Sequence, residues 1–211
     1  MRNYKIAQVS VLILMIAFGA FFVPRSYAAP TPVSLGTAGA FAVLAGSAIS
    51  NTGGTTITGD VGIHPGLASS VTGFSSVTLN GQTHFGDAIA LTAKNDLVAA
   101  YNSAVSQAST STVYNDLAGQ TLASGVYTST SSLALSGVLT LDGQGNANSL
   151  FIFKAGSTLI TGSSASVVLI NGAQACNVFW TVGSSATIGS STSFVGRIIA
   201  LTSVTLTPAP P

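Results

Sequence analysis

Glutamate does not occur anywhere in the 211 residues, and charged side chains of every kind make up only 5% of them. The acids are five aspartates: Asp60, Asp87, Asp96, Asp116 and Asp142. Glycoside cleavage, the chemistry of some β-helical enzymes, needs two carboxylates facing one another. Asp60 sits in a glycine turn, Asp87 and Asp96 in a helical stretch, and Asp142 in Leu-Asp-Gly-Gln-Gly, so each has a capping or turn role instead. No catalytic residue, cofactor or small-molecule substrate is expected. His64 and His84 lie 20 residues apart with no ligand motif joining them to Asp60, and both read as turn or surface residues rather than a metal site. The repeated Gly-Gly-x-Gly-x-Asp of calcium-binding coils is missing, as are the glycine signatures of ATP and dinucleotide sites.

Cysteine is nearly absent too. Cys176 stands alone, which excludes an internal disulfide and leaves stability to packing and hydrogen bonds. Between Ala175 and Val178 it reads as a buried, inert thiol. Basic residues are six, and Arg2, Lys5 and Arg25 fall in the first 28 positions. The remaining Lys94, Lys154 and Arg197 against five aspartates leave a net charge of −2, with no basic patch for nucleic acid.

What the chain does have is apolar residues, 47% of it, and 23 glycines. That is too apolar for disorder and enough for a core. Met1–Ala28 reads as a cleavable signal peptide, with an uncleaved membrane anchor as the alternative: Arg2 and Lys5 precede an apolar run from Ile6 to Val23, and Ser26-Tyr27-Ala28 places small residues before a cut after Ala28. A secreted protein is expected, with one domain over residues 29–207 and a proline-rich end over 208–211.

From Ser131 to Thr207 short apolar runs recur, each followed by Gly, Ser, Thr or Asn. Leu150–Phe153, Val178–Trp180 and Ile198–Leu201 open successive units. Runs bearing Thr or Ser follow at Ser157–Thr161, Ala186–Ser190 and Val204–Thr207. The units begin 29 and then 20 residues apart, from Asn148 to Asn177 and on to Arg197. Strands and turns repeating at this length indicate a β-solenoid, whose stacked coils share one core. Val33–Phe85 reads as a further β-rich region with strong turns at Asn51–Gly54, Thr58–Asp60, His64–Gly66 and Asn80-Gly81.

Asp87–Ser109 differs in kind: 23 residues without Gly or Pro. Ala90, Ala93, Leu97, Tyr101, Ala104, Val105 and Ala108 share one helical face, and Asp87 occupies the N-cap position. At about 1.5 Å per residue the helix spans roughly 30 Å. Its narrow, alanine-rich face suits close packing along a sheet.

Five segments together resemble one family: VSLGTAGAFAVLAGSAISNTG (33–53), TGDVGIHPG (58–66), AKNDLVAAYNSA (93–104), INGAQACNVFWTVGSSATIGSSTSFVG (170–196) and IIALTSVTL (198–206). They are similar to the microbial β-solenoid ice-binding (antifreeze) proteins, in the same order across Val33–Thr207. The resemblance implies a mainly β fold: a right-handed, discontinuous, three-faced β-solenoid with one long helix alongside. Its N-terminal strands would join coils from the C-terminal half. It also implies an ice surface, with its ordered water, as the partner, bound by a monomer. Family members continue past the IIALTSVTL-like strand for another coil, whereas here Pro208 follows Thr207. Either that coil is missing or another segment covers the edge.

Ice contact needs a stiff, flat, weakly charged surface. Parallel strands stacked about 4.7–4.9 Å apart come close to the oxygen repeat of ice, and alternate residues form outward columns. Threonine suits such a column, because its β-branch fixes the rotamer while it offers both a hydroxyl and a methyl. The second run of each coil supplies the candidates. Thr187 and Ser190 follow from Ala186–Ser190, Thr205 and Thr207 from Val204–Thr207, and Ala134 and Ser136 from Leu133–Ser136. In Ser157–Thr161, Thr158 and Thr161 are candidates, but a one-residue slip decides whether Thr158 or Ile160 takes the outward slot. An outward Ile160 would interrupt the face. The competing reading is a non-catalytic adhesion or surface-structural solenoid, in which these hydroxyls are ordinary strand decoration.

Overall fold

The computed structural model describes residues 29–51, 55–113 and 115–207. The signal-peptide and proline-rich readings lie outside them.

The first coils are built from β1 (Phe41–Ala45), β2 (Ile49–Ser50), β3 (Thr55–Thr58), β4 (Asp60–Ile63), β5 (Val71–Thr72), β6 (Val77–Asn80) and β7 (Thr83–Phe85). Each strand pairs in parallel with the one three places on: β1 with β4 and β4 with β7, β2 with β5, β3 with β6. Every third strand falling in one sheet is what three-sided coils require.

After helix α1 (Ala88–Ser106) the pattern resumes in a larger stack. It contains β8 (Ser111–Thr112), β9 (Thr121–Leu122), β10 (Gly125–Ser129), β11 (Leu133–Leu135), β12 (Val138–Asp142), β13 (Phe151–Ala155), β14 (Leu159–Thr161), β15 (Ser166–Ile170), β16 (Val178–Val182), β17 (Ala186–Ile188), β18 (Arg197–Ala200) and β19 (Val204–Leu206). Its faces are the sheets β8-β10-β13-β16-β18, β11-β14-β17-β19 and β9-β12-β15. The mainly β, three-faced solenoid with one helix is the expected fold, and parallel crossovers of this kind are right-handed almost without exception.

Alternation fills the interior. Leu133, Leu135, Leu139, Leu141, Phe151, Phe153, Leu159 and Trp180 point inward and are essentially inaccessible. Tyr127, Phe153 and Trp180 occupy one register position on β10, β13 and β16. Their rings stack with centroids 5.4 and 4.1 Å apart.

The first face carries apolar residues on its outside as well, since Val126, Ile152, Phe179 and Ile199 bury against α1. Small residues let the helix approach: Ala90, Ala93, Ala100 and Ala104 are buried, with Leu97 and Tyr101 beside them. Val105 and Ala108, predicted for this face, are only partly buried and exposed respectively. The helix ends three residues before Ser109, because Gln107 turns to an extended conformation. Lys154 Nζ donates there to the Val105 and Gln107 carbonyls, at 3.2 and 2.7 Å, matching a cation to the helix C-terminus.

One expectation is corrected. The N-terminal strands do not join C-terminal coils: among the described residues every strand pairing stays within one stack. Helix α1 links the two, touching β1 and β7 with one part and β16 with another. The outer edges of β1, β18 and β19 have no strand partner among the described residues, so Val204 and Leu206 are 48% and 72% exposed although they stand in register with buried Ala186 and Ile188.

Cys176 is also corrected. It is exposed, in the turn Ala175–Asn177, and Ala173 and Val178 on either side take the inward positions.

Hydrogen bonds to aspartate hold the periphery. Asp87 caps α1 by accepting the Ala90 N–H at 2.8 Å and pairs with His84 at 2.8 Å. Asp96 accepts from the Thr37 N–H and hydroxyl, both at 2.7 Å, tying down the segment before β1. Asp116 accepts from Ser136 and from the Ala118 N–H. The Ala90 N–H holds the Asp87 carboxyl below its ordinary range, and the Thr37 hydroxyl and N–H do the same for Asp96. At Asp116 burial pushes upward, but the bonds from Ser136, Ala118 and Leu117 outweigh it and the net direction is down.

A carboxyl whose folded pKa is depressed stabilises the protein above its unfolded pKa and loses that contribution as pH falls through the folded value. The melting temperature is therefore expected to stay level from pH 7 to about pH 4, the ordinary Asp range, and to drop below it. Calorimetry across this range checks it. A melting temperature unchanged down to pH 2 would contradict the assignment of these bonds.

Candidate functional site

The second face, β11-β14-β17-β19, is the sheet built from the second runs of the coils. Register places Ala134, Ile160, Thr187 and Thr205 in one column, each on the side opposite buried neighbours. Leu133, Leu135, Leu159, Ala186 and Ile188 fix that parity from inside. Thr187 is half-buried and Thr205 exposed, and neither hydroxyl has a protein partner among the described residues. The bridge from Asp116 to Ala134 extends the column by one coil and sets a carboxylate at its end, where it accepts from Ser136 and from the Ala118 N–H.

A second column lies two residues earlier along each strand. The Thr158 hydroxyl donates to Ser132 at 2.9 Å, and that of Ser203 to Ser185 at 3.0 Å. Ser132, Ser185 and Ser203 escaped the sequence analysis. The signal for them was a serine immediately before three of the four second runs.

On the other flank stand Ser136, Gly162, Gly189 and Thr207. Ser136 and Thr207 are exposed as predicted, with Ser136 bonded to Asp116. Ser190 sits beyond the strand at the corner, where its hydroxyl donates to Ser163 at 3.1 Å.

Two candidates change. Thr161 is not on the surface: it is 4% exposed, accepts the Gly189 N–H at 2.8 Å and lies 3.2 Å from the Thr192 hydroxyl. Its register with Leu135 turns it inward, and these bonds satisfy it there. Thr158 and Ile160 are not alternatives either. They stand two apart and both face out, so Ile160, 50% exposed, interrupts the central column.

Among the described residues no group of three or more His, Cys, Asp or Glu that could hold a metal ion stands on this face. The face offers hydroxyls and methyls at strand spacing. The first face is covered by α1.

The chain is similar to known proteins over most of its length. A family model described as Ice-binding-like matches residues 43–209. An ice-binding protein of Nostoc sp. (strain HG1) is 44% identical over 200 residues, covering 94% of this chain and 72% of that protein. Ice-binding protein K3-B1 of Typhula ishikariensis is 34% identical over 200 residues, covering 85% and 82%. Among solved structures, an ice binding protein from an Antarctic biological consortium superposes with a TM-score of 0.81 at 39% identity, covering 88% of this chain and 92% of that one. The domain of Shewanella frigidimarina ice-binding protein 1 gives 0.78 at 28% identity, covering 86% and 97%.

Proposed function

Because this chain belongs to the Ice-binding-like family, we propose that it is a secreted antifreeze protein that adsorbs to ice through the second face and inhibits ice growth and recrystallisation. The observation that carries the choice of face is the register pair Thr187 and Thr205, two β-branched side chains on adjacent strands with hydroxyls free of protein partners among the described residues.

Strands on one face repeat at about 4.7–4.9 Å, so the pair presents hydroxyls and methyls at a spacing close to that of lattice water. The β-branch holds each χ1 angle in place, which limits the side-chain order lost on adsorption. The neighbouring column of Ser132, Thr158, Ser185 and Ser203 spends hydroxyl donors on itself. Its contribution is stiffness more than water contact.

Thermal hysteresis and recrystallisation inhibition, measured on the chain from Ala29, test the proposal. Ice crystals shaped and held below the melting point are expected. A solution freezing like buffer in both assays would reject it in favour of an adhesion or surface-structural solenoid. Export is tested by N-terminal sequencing of protein from the culture medium, which should begin at Ala29.

Ile160 sets the level of activity. Its side chain rises above the strand positions of the column held by Ala134, Thr187 and Thr205, so Ile160→Thr is expected to increase thermal hysteresis at equal protein concentration. An exposed outward position changes stability by only about 0.5 kcal/mol. Equal or lower hysteresis in the variant would show that Ile160 does not obstruct contact.

A further inference from the structure

The third face has an ordered outward surface of its own. On β9-β12-β15 register aligns Thr121, Thr140 and Val168 in one column, and Val138 with Ser166 in the next. The bridge from Ser166 to Ser193 extends that second column by one coil. Leu139, Leu141 and Val167 point inward and are buried, so the outward parity is fixed.

The column Thr121–Thr140–Val168 is β-branched throughout, and Thr and Val share one shape. It is therefore more even than the second face, where Ala134 and Ile160 differ most. Val138, Val168 and Ile170 are 49%, 41% and 36% exposed, an apolar surface interleaved with the hydroxyls of Thr121 and Thr140, which have no protein partner among the described residues. The one charge, Asp142, sits at the strand end and is occupied by the Gln144 N–H and Asn171 Nδ2, at 2.8 and 2.9 Å.

In the first stack, β3 and β6 hold the same third place in their coils. They turn Thr56 and Thr58, paired with Thr78 and Asn80, to solvent.

We infer that the third face is a second ice-contact surface, meeting the second across the corner at Ser136-Gly137 and Gly162–Ala165, so that the protein engages ice along two adjacent faces. This rests on the ice-binding reading. The alternative occupant of an exposed apolar sheet is a second copy of the chain. Three strands about 4.8 Å apart, with five residues at about 3.3 Å each, cover only roughly 240 Å². A stable protein interface needs about 800 Å² on each side. Lattice water has no such threshold, since each aligned column adds contact to what the neighbouring face already supplies.

Val168→Tyr on the third face, Thr187→Tyr on the second, and the double variant separate the possibilities, with Val138→Tyr as a replacement if Val168→Tyr lowers the melting temperature. Thermal hysteresis is measured together with the planes that fluorescently labelled protein occupies on a single-crystal ice hemisphere. Each single variant is expected to lose part of the hysteresis and a different subset of planes, and the double variant all of both. Complete loss from Val168→Tyr alone would also support the third face, while displacing the second.

Wild-type hysteresis and planes in Val168→Tyr, with loss in Thr187→Tyr, would overturn this inference and leave the proposed function standing. A parent that labels no plane would overturn both. A sedimenting dimer that Val168→Tyr splits without changing hysteresis would assign the face to a second copy.

Discussion

The double variant Thr187→Tyr/Thr205→Tyr is expected to lose the second face's share of thermal hysteresis and recrystallisation inhibition while melting within a few degrees of the parent. Both side chains face outward from strands whose inward neighbours, Ala186 and Ile188, make the core contacts. Exposed substitutions away from caps and networks change stability by about 0.5 kcal/mol or less. The same change is severe for adsorption. A phenol ring standing above the column holds the rest of the face away from the lattice, and dispersion contacts and hydrogen bonds fall steeply with such a gap. The comparison to make is hysteresis against melting temperature in the same preparation. Parental activity with both tyrosines in place would remove the second face from the account. Loss accompanied by unfolding would instead show that β17 and β19 tolerate no bulk.

Trp180→Ala is expected to have the largest effect on stability. Trp180 stacks on Phe153, which stacks on Tyr127, and Phe194 closes the far side with ring centroids 5.1 Å away. Its indole N–H also donates to the Val195 carbonyl at 2.9 Å. Truncation opens a cavity in the centre of the second stack and leaves that carbonyl unpaired. Losses of about 3–5 kcal/mol are usual for a buried aromatic changed to alanine. For a chain of this size that corresponds to a fall of about 10 °C or more in melting temperature. Trp180→Phe keeps a ring in the stack and gives up the hydrogen bond, about 1 kcal/mol, together with the packing of the smaller part of the indole. Urea or thermal unfolding of the two variants separates packing from hydrogen bonding. A Trp180→Ala protein as stable as Trp180→Phe would mean that the ring stack contributes little.

Much of this was legible in the sequence wherever alternation was unambiguous. In Ala186-Thr187-Ile188 and Leu133-Ala134-Leu135 only one parity buries the apolar residues, and the structure has that parity. The helix was legible for a similar reason, since Asp87 could cap it and alanines recurred at helical spacing. Leu159-Ile160 defeated the same reasoning, because both residues are apolar and either could face in. What settles it is the cross-strand register with Leu133 and Ala186, a non-local fact. Thr161 is turned inward by its register with Leu135, and a corner N–H, that of Gly189, satisfies its hydroxyl there. Cys176 looked buried from its neighbours, yet in a turn the neighbours' burial does not carry over. The separation of the two stacks was not legible at all, since it depends on which edges meet in space.

Adsorption to ice is the central claim, and the most direct measurement is partition into ice grown slowly from dilute solution of the chain from Ala29. The protein is expected to be taken into the ice fraction at or above its starting concentration, and Thr187→Tyr/Thr205→Tyr to a smaller extent. A parent excluded from the ice as completely as a control protein without ice affinity would contradict the account.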